Sequence, residues 1–187
     1  EGVHVDFFER RTSLGGRAGS FYDPIVGRNI DNCQHVLMGC CTEAFRFYES
    51  MGAAQHWCPL DSLRFVDRTG RAYPFRAAPL LPPPLHLAPA FARMRFLSVS
   101  ERIQIARAMR KIPRRESTVA RESSEQNSST FGDWLRRHGQ SDSTINRFWD
   151  VIVRGALAAS CDDASLAMAL KVFRDAFLTT RTGHTVY

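Results

Sequence analysis

The run Glu9-Arg10-Arg11-Thr12-Ser13-Leu14-Gly15-Gly16-Arg17-Ala18-Gly19-Ser20 decides how this chain is read. It follows Val3-His4-Val5-Asp6-Phe7-Phe8, a short β-prone segment, so a strand is expected over Val3–Glu9 with the acid at its end. Arg10 to Ser20 reads as a loop built around Gly15-Gly16. Phe21-Tyr22, a turn at Asp23-Pro24 and a second extended segment over Ile30–Leu37 follow it. The residue types have a chemical logic. An ionised carboxylate only accepts hydrogen bonds, which suits a pair of hydroxyl donors. Adjacent glycines let backbone approach a bound group closely, and Arg17 adds a fixed positive charge. Each feature also has a plain structural reading: Glu9 as a solvated strand-end carboxylate, and Gly15-Gly16 as a turn beside a surface arginine.

Outward from this run, the spacing predicts a helix over Thr42–Met51 stopped by Gly52. Leu63–Val66 and Ala72–Phe75 flank Asp67-Arg68-Thr69-Gly70 and read as a β-hairpin. Pro79 to Pro89 holds five prolines in eleven residues and is expected to be irregular or polyproline-like. Ser98-x-x-Glu101 opens a helix to Ile112, stopped by Pro113. Arg114–Ser129 is polar and reads as a loop. Thr130-x-x-Asp133 starts a short helix ended by Gly139, and two more helices are expected over Asp142–Leu157 and Asp163–Leu178. The composition changes near Asp61, which divides the chain into residues 1–61, strand and loop, and residues 62–187, a hairpin, a proline-rich connection and helices.

Composition narrows the function classes. At 187 residues and 44% hydrophobic, the chain can bury one substantial core or two small ones. No apolar run reaches the ~18 residues of a membrane span. The first residues lack a basic start and an apolar stretch, so no secretory signal is read there. The net charge of +6 is almost all arginine, since lysine occurs only at Lys111 and Lys171. Arg102, Arg107, Arg136 and Arg137 read as solvated helix faces, and no nucleic-acid partner is expected from such scattered charge. The five cysteines form no C-x-x-C pair and no zinc spacing, which points to reduced thiols in a cytosolic protein and no metal.

An acid closing the second strand of a dinucleotide-binding fold holds a ribose. With Gly15-Gly16-Arg17 following it, the Glu9–Ser20 run resembles the strand-end motif of the FAD-dependent amine oxidase and phytoene desaturase superfamily. Ile30-Asp31-Asn32-Cys33-Gln34-His35-Val36, followed by Gly39-Cys40-Cys41, is more particular. It resembles the bacterial hydroxysqualene dehydroxylases, or squalene-associated FAD-dependent desaturases, which usually carry Gly where Cys33 stands. The likeness continues through the hairpin, Leu81–Pro89, Trp134–Ser141 and Arg147–Asp150, and so covers essentially the whole chain.

The resemblance implies an α/β (α+β) fold, with a partial Rossmann-like FAD-binding domain over 1–61 and a mainly helical substrate domain with a β-hairpin over 62–187. It implies FAD as cofactor. Glu9, Arg10, Gly15, Gly16, Arg17 and Ala18 would lie on its ADP and pyrophosphate side, and Gln34, His35 and Val36 near the isoalloxazine. It implies a lipophilic isoprenoid substrate, with reductive dehydroxylation of hydroxysqualene to squalene as the activity. A carotenoid desaturase, a flavin amine oxidase and a non-enzymatic basic interaction domain remain as alternatives. In such an enzyme a GxGxxG loop would lie about 20 residues before Glu9. The chain is therefore expected to begin inside a longer protein, and by itself to bind FAD weakly and be inactive. The expected location is cytoplasmic, with peripheral contact at the inner face of a bacterial membrane. An interfacial patch of Leu80, Leu81, Leu85, Leu87, Phe91, Met94 and Phe96 beside Arg93 and Arg95 would make that contact, the alternative being a buried contact between domains. His35 reads equally as a flavin partner and as a packed strand-end residue. Trp134, Phe148 and Trp149 read as core, or as the lining of a lipid tunnel. No catalytic residue is assigned.

Overall fold

The computed structural model describes residues 2–16, 19–32, 36–60, 62–115, 129–180, 182–183 and 185–187. The chain is α+β, with small antiparallel hairpins and helices, and divides into two compact units, Glu1–Leu37 and Met38–Tyr187.

The first unit holds one hairpin. Strand β1 (Ser20–Asp23) pairs antiparallel with β2 (Arg28–Asp31), Ser20 opposite Asp31. Asp23 builds the turn: its Oδ1 accepts the Ile25 and Val26 amides at 2.8 and 3.2 Å, and Gly27 follows at φ +69°. The segment expected to be extended over Ile30–Leu37 thus contributes its first residues to β2, while Cys33, Gln34 and His35 lie outside the described residues. The expected strand over Val3–Glu9 is not formed. A strand exists through its ladder, and among the described residues none pairs with this segment. Val3, Val5, Phe7 and Phe8 are all at least 72% exposed, so neither face of the run is covered.

The second unit begins with α1 (Thr42–Ser50), closed beyond its cap by Gly52 at φ +68°. The predicted hairpin forms as β3 (Leu63–Val66) and β4 (Ala72–Phe75). Asp67 fixes its turn by accepting the Thr69 hydroxyl at 2.6 Å and the Thr69 and Arg71 amides at 2.9 and 3.1 Å, which hold its pKa at about 2. The proline-rich stretch is less irregular than expected. Leu85–Leu87 makes a 3₁₀ turn and Ala88–Arg93 forms α2, with Pro89 in the first helical turn, where a missing N–H is tolerated.

Helix α3 (Val99–Lys111) carries the predicted Ser98/Glu101 capping box, and α4 (Phe131–Arg137) the Thr130/Asp133 box. Of the loop expected over Arg114–Ser129, residues 116–128 lie outside the described residues. The Asp142–Leu157 helix is α5 (Asp142–Thr144), a π turn over Ile145–Trp149, and α6 (Asp150–Leu157). The last helix starts three residues later than expected, as α7 (Leu166–Phe173), followed by a π turn over Arg174–Leu178. Asp163 and Ala164 instead donate their amides to Ser160, so the chain turns before the helix begins.

Aromatic rings fill the core of this unit. Phe131 stacks on Trp134 and Phe173, and Trp149 meets Phe131 and Phe173 edge-on. Trp134, Phe148 and Trp149 are buried in this core. Their helical spacing therefore reflects packing, and none of the three borders the apolar cavity described below.

The helices are also joined through a buried acid. Burial alone would raise the pKa of Glu101, but the Ser143 hydroxyl (2.7 Å), the Ser98 amide (2.7 Å) and the Arg147 guanidinium (3.2 Å) outweigh it and hold the carboxyl below its ordinary 4.5. A depressed folded pKa stabilises above the unfolded value and is lost as pH falls through the folded one. The urea midpoint should therefore drop on acidification from pH 6 to pH 3. Glu101→Gln should lose less of its own pH 6 midpoint over that range, and an equal loss in both proteins would assign the acid response to other groups.

The arginines expected to be solvated are largely engaged. Arg136 forks onto Asp162 at 2.7 and 3.3 Å and reaches Asp142 at 3.2 Å. Arg137 donates to the Ser129 hydroxyl, and Arg102 to the Ala92 carbonyl at 2.6 Å.

Candidate functional site

In the first unit, Gly15 and Gly16 sit in a loop with φ of +107° and +57°, conformations that favour glycine. Among the described residues nothing lies within 4 Å of where a Gly16 Cβ would stand, which leaves that position open. Glu9 is exposed. Its Oε1 accepts the Arg11 amide at 2.8 Å, and Oε2 has no partner among the described residues. The hairpin then closes the loop onto the second motif: the Ser20 hydroxyl donates to Asp31 Oδ1 at 2.6 Å, and the Asn32 amide to the Gly19 carbonyl at 2.8 Å. The exposed Glu9 carboxylate and the open position at Gly16 fit a ligand carrying a diol and an anion. Arg10 and Val36 are exposed, while Arg17, Ala18, Gln34 and His35 lie outside the described residues.

In the second unit an apolar cavity of about 320 Å³ opens between the 3₁₀ turn, α2, α3 and the last π turn. Leu85, Leu87, Phe91, Ile105, Met109 and Phe177 line it, with Arg102, Arg110 and Arg114 also on its wall and no acid among its lining residues. It lies at the small end of the roughly 300–1,000 Å³ typical of small-molecule sites. The cavity departs from the patch expected over Leu80–Phe96. Leu87 and Met94, the residues flanking α2, are 3% and 1% exposed and belong to the core. Leu80 and Leu85, at 92% and 57%, stay outside. A second cleft, walled by Phe45, Tyr48, Trp57 and Tyr187 with Glu49, opens beside Gly39, and its aromatic walls suit a flat ring.

The glycine loop alone admits any ribose-bearing anion. The model of the flavin containing amine oxidoreductase family matches residues 1–186. The chain belongs to that family. FAD is accordingly its cofactor. The chain is also similar to the zeta-carotene desaturase of Capsicum annuum, 28% identical over 97% of this chain and 32% of that protein. The Zea mays zeta-carotene desaturase is 28% identical over 92% of the chain and 31% of its own length, and that of Synechocystis sp. 24% identical over 92% and 36%. The chain thus spans about a third of the length of these relatives.

The β1–β2 register brings Ser20, at the end of the Glu9–Ser20 run, beside Asp31. The cavity was missed altogether. Its lining comes from segments up to about ninety residues apart, and its traces in the sequence are Leu85, Leu87 and Phe91 of the expected patch and the i, i+4 pair Ile105 and Met109 on α3.

Proposed function

We propose that the protein containing this chain is an FAD-dependent oxidoreductase acting on a long isoprenoid, with desaturation of a carotene as the reaction favoured by its relatives. The observation that carries this reading is the cavity lining, which is apolar and has arginines but no acid. An amine substrate is cationic near neutral pH and would meet three guanidinium groups without a counter-ion, whereas a hydrocarbon chain needs only apolar walls. Hydroxysqualene dehydroxylation is the second reading, favoured by the Asp31-Asn32-Cys33-Gln34-His35 and Trp134–Ser141 segments.

In this reading Glu9 accepts the ribose hydroxyls, and the Gly15-Gly16 backbone with Arg17 holds the pyrophosphate. Arg10 and Ala18 flank it, and Gln34, His35 and Val36 border the ring. FAD, when bound, supplies a two-electron hydride acceptor or donor, which serves either reaction. Leu85, Phe91, Ile105 and Met109 hold a stretch of the isoprenoid and keep water from it. Such a substrate offers no polar handle, so the apolar walls orient it by shape.

Supplying the FAD-loaded full-length protein separately with zeta-carotene, hydroxysqualene and a set of primary amines tests the proposal. A product with further conjugated double bonds, seen as a red-shifted absorbance, is expected from the carotene. Squalene from hydroxysqualene would select the second reading. Turnover of amines alone would overturn both.

A further inference from the structure

We infer that Cys40 and Cys41 are a reversible redox pair, oxidised by hydrogen peroxide to a disulfide between the two adjacent residues. Neither thiol is given a role in holding FAD or substrate, so the inference is independent of the function proposed for the protein.

Adjacency alone does not bring two thiols together, since successive side chains of an extended segment point to opposite faces. Here the backbone turns between them. The Cys41 amide donates to the Met38 carbonyl at 2.8 Å, and the Cys41 carbonyl accepts the Phe45 amide at 3.2 Å as the chain enters α1. The Cys40 side chain hydrogen-bonds that of Cys41, so the two sulfur atoms face each other before any bond forms.

The two thiols differ in access, and that sets the order of the steps. Cys41 is exposed and meets the oxidant, whereas Cys40 is half-buried. Burial first, then Cys41 and Asp175, push the Cys40 thiol up to about 11, so it keeps its proton at neutral pH. The Cys41 thiolate attacks one peroxide oxygen, the O–O bond breaks, and the hydroxide that leaves takes up the Cys41 proton as water. Cys41 is then a sulfenic acid. The Cys40 sulfur attacks the Cys41 sulfur, the S–O bond breaks, and the departing hydroxide takes the Cys40 proton as a second water. Two electrons pass from the thiol pair to one peroxide, and nothing else is consumed. Cys161 offers the contrast: it is 1% exposed, and burial and Asp150 push its thiol up to about 12, the surroundings of an inert packed cysteine.

The product is labile for a geometric reason. Residues joined by a trans peptide have Cα atoms about 3.8 Å apart, below the roughly 4.4–6.8 Å that an unstrained disulfide spans. The backbone beside the pair has little room to adjust. The Gly39 amide donates to the Thr185 carbonyl at 2.8 Å, Met38 bridges Val186, and a Cβ on Gly39 would collide with the Thr182 carbonyl. A strained disulfide has a high reduction potential and is opened by ordinary thiols, which is the character of a reversible site rather than of a structural bridge.

Mass spectrometry of the full-length protein, treated with stoichiometric hydrogen peroxide and then alkylated, tests this. Cleavage after Arg28 and Arg46 releases residues 29–46, which also hold Cys33, so the measurement is made in a Cys33→Ala background. That peptide should lose two hydrogen atoms and both sites of alkylation, and reduced glutathione should restore them. Cys40→Ser and Cys41→Ser should each abolish the loss, while Cys58→Ser should leave it complete. Cys40→Ser should also stop at a sulfenic acid on Cys41, trapped by dimedone, whereas Cys41→Ser should leave Cys40 as a thiol. Full alkylation of both thiols after peroxide would overturn the inference. So would a bridge from either thiol to Cys58, a sulfinic acid on Cys41 with no disulfide, or a disulfide that glutathione leaves closed.

Discussion

Trp149→Ala should lower the stability of the full-length protein by about 4–5 kcal/mol, enough to exhaust much of the margin of an ordinary domain. Trp149 is completely buried and meets Phe131, Phe148 and Phe173 at ring-centroid distances of 5.8, 5.3 and 4.8 Å. Removing an indole from such a site loses its transfer free energy and leaves a cavity, together about 3–5 kcal/mol. It also removes the bond from Nε1 to Gln140 Oε1 at 2.9 Å, which leaves a buried acceptor unsatisfied. Gln140 in turn donates to the Gln104 carbonyl at 2.8 Å, so the change reaches α3 and the cavity wall. Trp149→Phe keeps a ring and loses the donor, and should cost about 1–3 kcal/mol. Urea unfolding with unchanged slope measures both. A loss under about 1 kcal/mol for the alanine variant would mean that the aromatic cluster does not hold the helical unit together.

Local signals were the most legible part of the fold. The two capping boxes, the Asp67–Gly70 turn and the Gly52 stop each depend on a few neighbouring residues, and each forms where the sequence places it. What was not legible depends on distant partners. Val3–Glu9 has the composition of a strand, but a strand needs a ladder, and composition does not say where one is. Leu87 and Met94 looked like members of a surface patch because proline density hid the short helix that they flank. Arg136 is exposed as read, but its ion pair with Asp162, 26 residues away, was not legible. The same asymmetry holds for the site. Glu9 and Gly15-Gly16, proposed to hold the cofactor, belong to one local run, whereas the cavity lining is assembled from segments that only folding brings together.

Arg17→Ala in the full-length protein should weaken FAD binding about ten- to a hundredfold. Arg17 follows Gly15-Gly16, proposed to receive the pyrophosphate, and a charge-assisted bond to that group is worth roughly 1.5–3 kcal/mol. Arg46→Ala is the charge-matched control. Its guanidinium is exposed on α1 beside Glu43 at 2.6 Å, where a pair contributes about 0–1 kcal/mol. The flavin-to-protein ratio after identical purification of wild type, Arg17→Ala and Arg46→Ala is the most direct test of the claim that this chain holds FAD at its double-glycine loop. The expected result is wild-type occupancy in Arg46→Ala and depleted flavin in Arg17→Ala. Equal occupancy in all three would contradict it, and would place the cofactor away from Glu9–Ser20.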